Sequence, residues 1–249
     1  MSHGDVARAE AFPPPPPEVV AKGLPARLAW NFRVRARAER AQILRRHFKL
    51  QPADRVLDLG GGDGSHFQSI FPLHKNVVIA DVDHESLHQA SVRYGYETVA
   101  LVPDVSVLPF ATKEFDFAFC SSVIEHCTGP KDRMPVERNG RVFKEYACRH
   151  QRIMAAEINR ISRSYFVQTP YKFFPIESHS LLPGFIVLLP RRAFAGLFWF
   201  CRNIGLDHYI PTPDFQLISI RHMRQLFPDA EIKYERLGGF IKSLIAIKT

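Results

Sequence analysis

The stretch Val56-Leu57-Asp58-Leu59-Gly60-Gly61-Gly62-Asp63-Gly64 constrains this chain more than any other. Arg55 to Leu59 is a short apolar run interrupted only by Asp58, and it stops abruptly at glycine. That is the pattern of a buried parallel strand entering a tight turn. Gly60, Gly62 and Gly64 repeat as G-x-G-x-G, and Ser65 to Ile70 resumes a helix-compatible pattern. Glycine is required where a backbone turns sharply and lets a ligand lie against it. The helix behind such a turn aims its unpaired N–H groups at that ligand. Asn76 to Ala80 reads as a second buried strand, with Asp81 at its end. An acidic residue there, roughly twenty positions beyond the glycines, suits the two hydroxyls of a ribose. Together these predict the nucleoside-binding half of a doubly wound sheet, the alternative being a strand-to-helix turn with no ligand.

Further along, Glu85 to Tyr94 reads as a helix, Val99 to Val102 as a third strand and Phe115 to Cys120 as an almost wholly apolar fourth. Arg141 to Ser164 reads as a long helix and Tyr165 to Gln168 as a fifth strand. Ser219 to Phe227 is a helix, and the strands Glu231 to Leu237 and Phe240 to Ile247 flank Gly238-Gly239. Strands alternating with helices predict an α/β fold, a doubly wound and mostly parallel sheet with helices on both faces. Ligands of such sheets lie at the carboxyl ends of the strands. Asp58, Asp81, Asp104 and Ser121 to His126 all fall at that edge. Asp116 is expected to be structural, at a strand start.

A dinucleotide dehydrogenase usually carries G-x-G-x-x-G, and Ser65 stands where its third glycine would be. Asp58, two residues before Gly60, suits a cationic cofactor, whereas a pyrophosphate gains nothing from a carboxylate. In this combination the chain resembles the class I S-adenosylmethionine-dependent methyltransferases. PDVSVLPF followed by KEFDFAFCSSVIEHC is similar to the bacterial methyltransferases grouped as type 11, and the resemblance covers about Arg55 to Gln168. It implies a Rossmann-like methyltransferase fold of seven strands closed by an antiparallel pair, with S-adenosylmethionine as cofactor. It assigns Asp104 to the adenine amino group and the Val105 backbone to the ring. With Asp58, Gly60, Gly62, Gly64 and Asp81, Val82 and Ser121 complete the expected cofactor-binding set.

Transfer to a hydroxyl needs a proton acceptor near neutral pH, and His126 in Val123-Ile124-Glu125-His126 is the leading candidate, with Glu125 beside it. The alternative is a structural histidine bonded to Glu125 or to a backbone carbonyl. His179 and Glu177 are further candidates. SSVIEH lacks the N-P-P-[YF] element used on planar amino groups, which argues against adenine or amide nitrogen and points to oxygen. The acceptor is a small molecule or lipid-linked. A nucleotide-sugar or NAD-linked oxidoreductase, and a non-catalytic methyltransferase-like binding protein, are the other readings.

Residues 1–24 read as a proline-rich tail, with five prolines from Pro13 to Pro17 favouring polyproline II. Residues 25–249 read as one domain, beginning with a basic helix at 25–50. That helix carries Arg33, Arg35, Arg37, Arg40, Arg45 and Arg46 opposite an apolar stripe including Leu28, Phe32 and Ala36. A solvated face is the first reading and contact with acidic lipid headgroups the second; no nucleic-acid partner is expected. Residues 171–216 depart from a minimal domain: many large apolar side chains lie among Pro170, Pro175, Pro183 and Pro190, which forbid one continuous helix. The stretch leaves the carboxyl edge of strand five, which predicts a lid over the site mouth, packed on the domain. A membrane- or lipid-facing surface and a dimer contact are the alternatives. Net charge is +8, so an anionic surface is a natural partner. The four cysteines, Cys120, Cys127, Cys148 and Cys201, show no paired spacing, so reduced thiols and no metal site are expected. Without a signal-like N-terminus or an apolar run of about 18 residues, the expected location is cytoplasmic, with peripheral contact at the inner membrane face.

Overall fold

The computed structural model describes residues 23–103, 106–175, 184–201, 203 and 213–249; within residues 24–37 it describes the side chains of residues 27 and 34 only. The proline run, Asp104, Val105, Glu177, His179 and the apolar stripe of Leu28, Phe32 and Ala36 lie outside the described residues or side chains. The chain divides into two units, Met1–Phe48 and Lys49–Thr249. In the first, helix α1 spans Leu24–His47, with Pro25 in its opening turn and Arg45, Arg46 and His47 in its last. Proline is tolerated there because the first helical N–H has no intrahelical partner.

The second unit is built on one seven-stranded sheet. Strands β1 (Val56–Leu59), β2 (Val77–Asp81), β3 (Glu97–Ala100), β4 (Phe115–Ser121) and β5 (Ser162–Pro170) run parallel, and β6 (Glu231–Leu237) and β7 (Phe240–Lys248) follow. The order is β3-β2-β1-β4-β5-β7-β6, with β7 antiparallel to both of its neighbours. Helices α2 (Ser65–Ile70), α3 (His84–Tyr94), α4 (Gly140–Ile161), α5 (Arg191–Cys201) and α6 (Ile220–Leu226) complete the described elements. β1 is buried along its whole length and β4 nearly so, as central strands covered on both faces must be. This is the fold class that the alternating pattern predicts.

Two boundaries differ from expectation. β3 starts two residues before Val99, because Val78 to Asp81 of β2 pair with Glu97 to Ala100. It is a half-exposed edge strand, so it needs no apolar run to announce it. The long helix ends at Ile161 rather than Ser164, because Ser162 and Ser164 already pair with Phe115 and Phe117 of β4. Their hydroxyls donate to Ile158 O and Asp116 O, both at 2.6 Å, which reconciles these serines with a sheet interior. Asp116 also accepts the Arg55 N–H at 2.9 Å, the structural part expected of it.

Helix α4 begins at Asn139, whose Oδ1 accepts from Arg141 N and Val142 N. It buries Phe143, Ala147, Gln151, Ala155 and Ile158, one stripe at helical spacing. The loop before β4 is clamped to it: Glu157 accepts the Leu108 N–H at 2.7 Å, and Arg160 donates to Phe110 O, to Leu108 O and to Glu157. The forked guanidinium suits three acceptors at once.

In the insertion, a short turn at Gly184–Leu188 and α5 build a second apolar cluster from Ile186, Phe194, Phe198, Phe215 and Leu217. Phe198 is therefore buried, within this cluster, whereas Trp199 and Phe200 beside it face solvent. None of the described helices is long and apolar enough to cross a membrane.

Candidate active site

The glycine loop is shaped by contacts within the chain as much as by space for a ligand. Gly60 has φ +69°, and a Cβ there would stand 2.3 Å from Val123 Cγ2. A Cβ on Gly61 would stand 2.4 Å from the carboxyl carbon of Asp58. Gly62 differs, since a Cβ there would meet nothing within 4 Å, so the open side of the turn lies at that residue. Its N–H donates to Asp81 Oδ2 at 2.8 Å, while Asp81 Oδ1 accepts the Asp83 N–H at 3.0 Å. Gly64 precedes α2 as its cap.

Asp58 is buried at the end of β1, and its Oδ2 has no hydrogen-bond partner. Burial, then the negative charges of Asp81 and Asp63, push its pKa from 3.8 up to about 8. A carboxylate so placed is costly to ionise without a cation beside it. A cationic ligand in the loop would supply one.

Beside the loop lies a cavity of about 300 Å³. Gly60, Asp81 and Val82 form one side, Leu101, Val102 and Pro103 another, and Val123, His126 and Cys127 a third. Lys131, His150 and Met154 close it from the loop after β4 and from α4. Its wall is mostly apolar with a few polar groups, the usual make-up of a small-molecule site. His126 ends a single 3₁₀ turn, Ile124–His126, directly after β4. Its Nδ1 lies 3.1 Å from the backbone oxygen of Asp214, and its ring meets Phe215 edge to face. A carbonyl can only accept, so Nδ1 carries a proton, and in the neutral ring the lone pair then sits on Nε2. Asp214 is itself held by Thr128 Oγ1 and, at 2.7 Å, by Lys131 Nζ.

Residues 57–160 match the family described as a methyltransferase domain. The fit can be tested on the structure itself: an unpartnered buried carboxyl, an open glycine and a carboxylate at the tip of β2 are what a cationic nucleoside requires. Residues 57–160 are a methyltransferase domain, with S-adenosylmethionine as its cofactor. Its fold is shared with the magnesium protoporphyrin IX methyltransferase of Synechocystis PCC 6803, solved with bound SAH. That protein is 15% identical, with 91% of this chain and 88% of that one covered at a TM-score of 0.52. A SAM-dependent methyltransferase from Methanosarcina mazei is 14% identical over 83% of this chain and 96% of its own, with a TM-score of 0.49. One from Aquifex aeolicus is 15% identical over 83% and 87%, with a TM-score of 0.45. At 15% identity the likeness to the Synechocystis protein is one of fold alone. None of the curated proteins matches the chain in sequence.

The expected residues divide into three groups. Gly60, Asp81, Val82 and His126 line the cavity of the methyltransferase domain, and Asp58, Gly62 and Gly64 belong to the loop beside it. Glu125 and Ser121 do not line it. Glu125 is fully buried, with Thr169 Oγ1 donating to its Oε2 at 2.9 Å, so it braces β5 against the turn that carries His126. Ser121 donates to Gln168 Oε1 at 2.8 Å across two strands. Glu125 was expected beside His126 as a catalytic candidate, and its described side-chain contact is to Thr169, away from the cavity lining. Of the stretch expected to form a lid, residues 176–183, 202 and 204–212 lie outside the described residues, and among the described residues none after Met154 lines the cavity. Among the insertion's described residues, Asp214 and Phe215 meet the site, against His126. Lys131, Cys127, His150 and Met154 were not expected. The Gly129-Pro130 turn between Cys127 and Lys131, and the i, i+4 spacing of His150 and Met154, were the available signals.

Proposed function

We propose that the domain transfers a methyl group to a hydroxyl oxygen of a small or lipid-linked acceptor, with His126 as the proton acceptor. One observation carries the reading: His126 lines the cavity while its Nδ1–H is engaged by Asp214 O, which puts the basic lone pair on Nε2. S-adenosylmethionine, when bound, supplies a methyl group on a sulfonium, open to in-line displacement. The chain's own residues have three tasks. Asp58 offers a carboxyl whose ionisation a cation would favour, and Asp81 offers a carboxylate to the ribose. Leu101, Val102, Val123 and Met154 keep water from the reacting oxygen. His126 then takes the hydroxyl proton as the oxygen forms its new bond, and alignment supplies the rest of the acceleration.

The test is a tritiated methyl donor incubated with the protein and with separate polar and lipid extracts. Label in an alkali-stable methyl ether supports the reading, and His126→Gln should remove it while donor affinity stays unchanged. Label in an alkali-labile ester would overturn the hydroxyl in favour of a carboxylate oxygen, and label in a methylamine would overturn the choice of oxygen.

A further inference from the structure

Behind the site, on the other side of the Phe215 segment, the structure holds a groove that the methyl-transfer reading does not use. Two depressions of about 320 and 530 Å³ share Lys144, Lys172, Gln216 and Leu217, and so run into one another. Val187, Leu188, Leu189, Phe194 and Phe215 line one end. Arg152, Arg221 and His222 line the other, with Lys144 and Lys172 between the two. No acidic residue lines either part, and among the described residues no carboxylate pairs with Lys144, Arg152, Lys172 or Arg221.

Such crowding is unfavourable in the empty protein. Lys144, Cys148 and Arg152 stand one helical turn apart on a single face of α4, so two cations point the same way. The imidazole of His222 is held below its usual pKa by burial and then by Arg152 and Lys144. Cations gathered without counter-charge are what an anion with more than one negative oxygen needs, and Lys and Arg are its usual partners. The apolar end adds a second demand. Leu188 is 58% exposed, and the neighbouring Phe185, Trp199 and Phe200 are 66%, 66% and 55% exposed. Helix α5 carries large apolar side chains on both faces: Phe194 and Phe198 are buried, while Trp199 and Phe200 are exposed, as are Arg192, Ala193 and Gly196. Exposed aromatic rings beside cations suit a lipid interface.

We propose that this groove binds a phosphate-bearing lipid at an anionic membrane surface. The phosphate lies among Lys144, Arg152, Lys172 and Arg221, the chain runs along Val187 to Leu189, and Trp199 and Phe200 dip into the bilayer boundary. Phe215 lines the groove and touches the His126 ring, so the lipid's polar head reaches the methyl-transfer site past that side chain. The inference deepens the methyl-transfer reading by naming the acceptor class, but its binding test needs no methyl donor.

The experiment is cosedimentation of the full chain with phosphatidic acid vesicles against phosphatidylcholine vesicles, at low and high salt. A Trp30→Phe background lets Trp199 fluorescence report insertion. Binding to the anionic vesicles with a blue shift of Trp199 is expected. Lys144→Glu with Lys172→Glu should weaken it on the order of a hundredfold. Donor affinity by calorimetry should stay unchanged in that variant, which separates failure of this inference from failure of the methyl-transfer domain. The proposal is overturned by equal binding in the charge-reversed variant, or by its loss only in Arg45→Glu with Arg46→Glu on α1. Saturation by free pyrophosphate with no preference for vesicles would overturn the lipid and leave a soluble phosphate in its place.

Discussion

Gly62 donates its backbone N–H to Asp81 Oδ2 at 2.8 Å, tying the glycine loop to the tip of the second strand before any ligand arrives. That carboxylate therefore holds the loop in shape, besides the ribose-binding part proposed for it. Asp81→Ala should weaken S-adenosylmethionine by about 1.5–3 kcal/mol, the worth of a hydrogen bond to a charged group. Asp81→Asn keeps an oxygen for Gly62 and should fall between the two, with the melting temperature nearly unchanged. Calorimetric titration of all three proteins measures this, and unchanged affinity in Asp81→Ala would sink the ribose assignment.

Asp58 gives the site a pH dependence of definite sign. Its pKa of about 8 means that the folded protein holds a proton at neutral pH that the unfolded chain, near 3.8, has lost. Stability of the ligand-free protein should therefore fall as pH rises from about 4 to about 8, by at most about 1.4 kcal/mol per unit, and level off above. Asp81 and Asp63, the charges nearby, push in the same direction. A cation bound beside Asp58 favours the ionised form, so donor affinity should rise with pH and flatten above about 8, with proton release on binding. Asp58→Asn should flatten both profiles, raise thermal stability at pH 8 and weaken the donor. A stability curve that still falls in this variant would refute the account.

Neighbouring glycines should fail for different reasons. Gly62→Ala meets open space, so it should cost only about 1 kcal/mol of backbone strain while filling the loop's open side and weakening donor binding. Gly60→Ala drives a methyl group into Val123 Cγ2, so thermal stability should drop before binding is considered. Val123→Ala removes that methyl group, and the double variant should recover part of the lost melting temperature. If Gly60→Ala melts like Gly62→Ala, the packing explanation is wrong.

The parts of the site that were legible in the sequence are those encoded locally. Gly60 to Gly64 and Asp81 are written into one strand-turn-helix-strand unit, and His126 follows β4 by five residues. Ring orientation was not legible, because the carbonyl that orients His126 belongs to a residue 88 positions away. His150 and Met154 were hidden for a related reason: they are the half-buried flank of a helix read for its core stripe. Glu125 beside His126 looked like a catalytic pair, yet the tight turn sends neighbours to opposite sides, one to Thr169 and one to the cavity. Edge strand β3 and the serines opening β5 were misplaced because pairing with neighbours, rather than apolar pattern, sets their limits.

Asp214 is the last link, since its side chain fixes the backbone that orients His126. Its two oxygens are bound by Thr128 Oγ1 and Lys131 Nζ, and its own carbonyl accepts from His126 Nδ1. Removing the carboxylate leaves the buried Thr128 hydroxyl without that acceptor and frees the segment from Lys131, which is itself partly exposed and contributes little as an ion pair. Asp214→Ala should cost on the order of 1–3 kcal/mol of stability. It should also lower methyl transfer with donor affinity unchanged, because no donor-holding residue has moved. Asp214→Asn, which keeps an oxygen and the shape, should restore most of both. Nitrogen-15 histidine NMR provides a readout that general destabilisation would not move. His126 should be the Nδ1–H tautomer in the parent protein and a mixture of tautomers in Asp214→Ala. A single unchanged tautomer in that variant, with transfer reduced all the same, would show that Asp214 acts by some route other than orienting His126.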